Sequence, residues 1–110
     1  MDVTFEDISG YKNANVISTT SNCFARKNHH QIILDFGLFL ISKHLNEDNV
    51  QLFSLPETLR PKIPVYFSIA STGGDVCGSC SVDADGAIKI VRTPSVEKYF
   101  VGQVIYFVGK

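Results

Sequence analysis

The chain has 110 residues, enough for one domain around one core and too few for two. Apolar residues make up 45% and charged residues 19%, which excludes an intrinsically disordered chain. The formal net charge is −1, without the basic excess of a phosphate-binding surface, so nucleic acid is excluded as a partner on this reading.

The N-terminal stretch Met1-Asp2-Val3-Thr4-Phe5-Glu6-Asp7 is acidic and has no apolar signal core. Residues 1–15, with Ser9-Gly10, Asn13 and Asn15, read as an irregular lead-in or a short edge strand. Residues 16–25 are rich in β-branched and small polar types (Val16, Ile17, Thr19, Thr20), which predicts a strand with a polar face. Arg26-Lys27-Asn28-His29 reads as a polar turn. From His30 to Ser42 the even positions Ile32, Leu34, Phe36, Leu38 and Leu40 are all apolar, and Gly37 beside Phe36 favours a kinked strand over a helix. The longest apolar run, Ile32 to Ile41, is about half of a bilayer span and contains Asp35, so no membrane insertion is expected.

His44-Leu45-Asn46-Glu47-Asp48-Asn49 reads as a solvated loop, and residues 50–55 as a short strand. Pro56, Pro61 and Pro64 then fence a rigid loop, because proline fixes φ and donates no backbone hydrogen bond. Beyond it Ile63, Val65, Phe67 and Ile69 alternate with Pro64, Tyr66, Ser68 and Ala70, as in a half-buried strand. The loop would carry the chain from one sheet to another. Residues 71–75 and Asp83-Ala84-Asp85-Gly86 are turn signals around a strand in which Val76, Gly78, Cys80 and Val82 share a face. Ala87 to Val91 is a short strand with Ile88 and Ile90 on one face, and residues 92–97 a loop. The last run, residues 98–108, is apolar on both faces: Tyr99, Val101, Ile105 and Phe107 against Phe100, Val104, Tyr106 and Val108. Such a strand is either central or covered at a subunit interface. The expected fold is an all-β antiparallel sandwich or barrel of about seven or eight strands, one domain over 1–110.

Three cysteines is an odd count, which favours free thiols in a reducing cell over a disulfide framework. Cys77-Gly78-Ser79-Cys80 has the spacing of a redox pair or half a zinc site, with Cys23, His29, His30 or His44 as completing ligands. In a strand, however, residues three apart face opposite sides. Asp83-x-Asp85-Gly86 resembles the start of a calcium loop but lacks the later oxygen ligands and the terminal glutamate. No nucleophile elbow and no phosphate-cradling glycine loop occurs, so no enzyme activity and no cofactor are expected.

Taken together, Leu55-Pro56-x-x-Leu59-Arg60-Pro61, the alternating strand with Tyr66-Phe67, the glycine turn, Asp83-x-Asp85-Gly86-x-Ile88-x-Ile90 and the final aromatic strand resemble the C-terminal head domains of receptor-binding and tail-fibre proteins of tailed phages. The resemblance covers roughly residues 30–110. It implies a homotrimeric β head on a fibre or baseplate at the virion tail tip, assembled in the host cytoplasm. Its partners would be phage tail or baseplate proteins and a host cell-wall glycan bound without catalysis. Two features depart from the family: no stalk segment precedes residue 16, which implies an excised head or a short protein, and there is no tryptophan. Tyr11, Tyr66, Tyr99 or Tyr106 would supply any sugar-stacking platform.

The candidate receptor- or saccharide-binding residues are His44, Asn46, Asp48, Arg60, Tyr66 and Tyr99, with polar loops at 44–49, 71–75 and 92–97 as the recognising elements. Arg60 has two readings: a donor to a sugar or phosphate, or a structural residue holding its loop through a carboxylate or carbonyl. A second function class is a structural virion or baseplate assembly subunit without ligand binding. A third is a metal or redox protein using Cys77 and Cys80.

Overall fold

The period-two pattern of the sequence becomes eight strands in a computed structural model that describes residues 3–108; the outermost residues of the 1–110 domain, 1–2 and 109–110, lie outside the described residues. The strands are β1 (Thr4–Asp7), β2 (Ile17–Asn28), β3 (Gln31–Ile41), β4 (Asp48–Ser54), β5 (Val65–Ser71), β6 (Cys77–Val82), β7 (Ala87–Arg92) and β8 (Lys98–Phe107). Single 3₁₀ turns occur at Ser9–Tyr11 and Glu57–Leu59, and there is no α-helix among the described residues. All pairings are antiparallel, in the order β1-β2-β3-β8-β5-β6-β7-β4. The protein is all-β, as its sequence predicts.

One sheet, not two, makes the body. It curls until the segment after β1 reaches the far edge: Lys12 bridges Phe53, the Asn13 N–H donates to the Leu52 carbonyl at 2.8 Å, and Asn13 Nδ2 donates to the Gln51 carbonyl at 2.9 Å. The proline loop therefore does not pass between sheets. It carries the chain from the edge strand β4 to the central strand β5 across one end of the curl, and its Leu55, Leu59 and Pro61 are buried there.

Inward-facing positions of every long strand form the core, including Ile32, Leu34 and Phe36 of β3, Ile88 and Ile90 of β7, and Phe100, Val104 and Tyr106 of β8. Phe36 sits at its centre, with ring centroids 5.2 Å from Phe53, 5.7 Å from Phe67 and 5.8 Å from Phe39. Aromatic groups at these separations add edge-to-face and offset contacts to their burial. The predicted kink is real: the β3–β8 register shifts between Phe36 and Phe39, and a Cβ on Gly37 would lie 2.4 Å from the Asn22 carbonyl oxygen. Only glycine admits the β2 backbone so closely.

Of the two readings of residues 1–15, the short edge strand is present: β1 pairs with β2 at one edge of the sheet, and Ile8 beyond it is wholly buried. Three local expectations are corrected. Arg26, Lys27 and Asn28 belong to β2, because each has a ladder partner in β3, and the turn is His29-His30 with His29 at φ 50°. Asp48 and Asn49 open β4 rather than close the preceding loop. Ile63 lies outside β5 and is 73% exposed, since Pro64 stops pairing until Val65.

The last strand resolves the ambiguity of its two apolar faces. β8 is central, between β3 and β5, and its even positions fill the core. Its odd positions face outward, with Ile105 50% and Phe107 71% exposed. In the cross-strand row Phe5–Arg26–Ile33–Ile105, Phe5 on the edge strand is exposed too.

Candidate functional site

Strand alternation sends the connections 42–47, 72–76 and 93–97 to one end of the sheet. They are tied together there: the Asn46 N–H donates to the Pro94 carbonyl at 2.9 Å, the Thr93 N–H to the Glu47 carbonyl at 2.8 Å, and the Thr72 N–H to the Tyr99 carbonyl at 3.0 Å. The buried Thr93 hydroxyl also donates to the His44 carbonyl at 2.6 Å and accepts from the Glu47 N–H at 2.8 Å. The three stretches singled out in the sequence as recognising loops thus share one end.

A cavity of about 630 Å³ opens at this end and is lined by Leu40, Ser71, Thr72, Gly73, Asp75, Glu97, Lys98 and Tyr99. Tyr99 lies at an outward position of β8 opposite Leu40, 40% exposed. The wall beside it is hydrogen-bonded. The buried Ser71 hydroxyl donates to Asp75 Oδ1 at 2.7 Å and accepts from the Val76 N–H at 3.1 Å, and Lys98 Nζ donates to Asp75 Oδ2 at 2.9 Å. The Ser71 hydroxyl, followed by Lys98, holds the Asp75 carboxyl down at about 2. A carboxylate so stabilised is a poor proton acceptor at neutral pH, so Ser71 has no activating base in Asp75.

The remaining candidates fall in three places. His44, Asn46 and Asp48 are brought together beside Arg92, whose guanidinium donates to Asp48 Oδ1 at 2.6 Å and Asn46 Oδ1 at 2.9 Å, while His44 Nδ1 lies 3.3 Å from Glu47 Oε1. This cluster shares the loop end with Tyr99 but does not line its cavity. Tyr66 is 79% exposed on the outer face of β5, in a smaller recess with Ser68, Ser79 and Ser81. Arg60 is at the opposite end, where its Nε donates to the Leu55 carbonyl at 3.1 Å and its side chain packs against Gly86. That contact matches the structural reading of Arg60.

The cysteine pair is divided between faces: Cys77 is exposed and Cys80 is buried, its thiol pushed up to about 12 by burial. All three cysteines are free, and no group of three or more His, Cys, Asp or Glu stands close enough to hold a metal among the described residues. The Asp83–Gly86 carboxylates are engaged within their turn: Asp85 Oδ1 accepts from the Ala87 N–H at 3.1 Å, and Asp83 Oδ1 from the Ser81 hydroxyl at 3.1 Å. No helix among the described residues is long and apolar enough to cross a membrane.

Sequence reasoning named Tyr99 and the loops 71–75 and 92–97, the latter with Glu97, but not the Ser71–Asp75–Lys98 tie. The tie joins residues 23 positions apart, so only the β5–β8 pairing reveals it. No family model and no curated protein matches the chain.

Proposed function

We propose that this protein is a non-enzymatic saccharide-binding head, carried as a homotrimer on a phage tail fibre or baseplate. One observation supports binding above the others: two polar loops, 72–76 and 93–97, border a cavity with an exposed tyrosine in its lining and hydrogen-bonded polar groups in its wall. A pyranose offers an apolar face to an aromatic ring and hydroxyls to carboxylates, lysine and threonine, and Tyr99, Glu97, Lys98 and Thr72 present those groups together. The phage assignment comes from the sequence resemblance. The trimer draws support from the outward face of β8, where Ile105, Phe107 and the neighbouring Ile63 form an apolar surface that a symmetric copy would cover. Tyr99 lies on the same outward side of that strand, so the cavity would open beside the subunit boundary.

The same apolar surface favours a second reading, an assembly subunit whose only task is packing. Titration with a panel of bacterial surface saccharides separates the two. The head gives saturable binding that is abolished in Tyr99→Ala, whereas an assembly subunit gives none.

A further inference from the structure

The charge pattern of the Tyr99 cavity narrows its ligand. Three formally charged side chains line it: Asp75, Glu97 and Lys98. Lys98 is paired with Asp75 at 2.9 Å, so its charge is offset within the protein. Glu97 is exposed and enters no ion pair among the described residues. The nearby guanidinium of Arg92 is likewise engaged, by Asp48 and Asn46. Arg60, the other cation considered for an anionic polymer, is at the far end and bonded to Leu55. Among the lining side chains, an incoming phosphate or carboxylate would therefore meet the unpaired like charge of Glu97 and one cation, Lys98, whose charge Asp75 already offsets. An ionised carboxylate is a strong acceptor for hydroxyl donors, and two adjacent hydroxyls can bind its two oxygens together.

We infer that this cavity takes an uncharged, hydroxyl-rich saccharide, with adjacent hydroxyls donating to Glu97 and the apolar ring face resting on Tyr99, and that it excludes glycans carrying phosphate or carboxylate groups. The inference rests on the saccharide reading above and specifies its ligand class. Lys98 keeps N–H donors beyond the one given to Asp75, so it can donate to a ring or hydroxyl oxygen without adding net positive charge to the site.

Calorimetric titration at fixed ionic strength tests this in two arms. One uses uncharged oligosaccharides of glucose, galactose and N-acetylglucosamine; the other uses oligomers of galacturonic acid and of glycerol phosphate. Saturable binding in the uncharged arm alone is expected, nearly independent of salt because no net charge is neutralised. Glu97→Gln, at an exposed position, should keep the fold and weaken that binding roughly tenfold, through loss of a charge-assisted hydrogen bond. Saturable binding of the anionic oligomers to the unaltered protein, lost in Tyr99→Ala, would overturn the charge inference and leave the saccharide reading standing. Absence of binding in both arms would overturn the saccharide reading, and this inference with it.

Discussion

The Tyr106 hydroxyl on β8 donates to the carbonyl of Leu59, 47 residues earlier in the proline loop. Both residues are buried, and the bond fixes the loop as a plug across the end of the sheet opposite the candidate site. Tyr106→Phe keeps the ring and removes the donor, leaving a buried carbonyl unsatisfied. The expected loss is about 1–3 kcal/mol in urea unfolding, with ligand binding at the distant cavity unchanged. Burial also raises the Tyr106 hydroxyl above the ordinary phenol range, so the bond should persist through mildly alkaline pH.

Gly86 depends on the same loop. Its φ is +92°, and a Cβ there would stand 2.6 Å from the Leu55 carbonyl oxygen and 2.7 Å from Arg60 Nε. Gly86→Ala therefore meets both an unfavourable backbone conformation and a backbone collision, and should destabilise by about 1–3 kcal/mol. Thermal unfolding measures it. Arg60→Ala in the Gly86→Ala background should recover part of the loss, because one of the two obstructing groups is gone.

Acid should loosen the cavity wall. The Asp75 carboxyl is depressed in the folded protein from an ordinary value of 3.8 to about 2. A depressed acid stabilises the fold above its unfolded pKa, and that contribution disappears as pH falls from about 4 towards 2. Asp75→Asn should accordingly be destabilising at pH 7 and nearly neutral at pH 2. Unfolding curves of both proteins at the two values provide the check, and an equal difference at both would contradict the assignment.

The outer face of β8 separates stability from association. Phe107 is 71% exposed at the end of β8, so Phe107→Glu should change monomer stability by no more than about 1 kcal/mol. If copies of the chain cover this face, the same change converts a trimer to a monomer in light scattering at micromolar concentration. A monomeric unaltered protein would remove the trimer from the account.

Much of the architecture was legible because alternation forces it. Gly78, Cys80 and Val82, or Ile88 and Ile90, share a face because they alternate along strands, and prolines 56, 61 and 64 leave no strand or α-helix across their loop. What was not legible depends on partners distant in sequence. Arg26-Lys27-Asn28 looks like a turn by composition, yet pairing with Gln31–Ile33 holds it in a strand. Ile8 sits among polar residues and gives no periodic signal, but the segment joining β1 to β2 folds it into the core. At the candidate site, Tyr99 stood out as an aromatic, whereas Lys98 and Asp75 are ordinary surface residues until β5 and β8 pair.

The central claim is that ligand recognition resides in the loops around Tyr99. Backbone amide NMR, recorded while an uncharged oligosaccharide is titrated into the protein, tests it most directly. The account predicts saturable shifts confined to residues 71–75 and 97–99, abolished in Tyr99→Ala. Saturable shifts centred elsewhere, on the Tyr66 face or the proline loop, or no shifts with any saccharide, would contradict it.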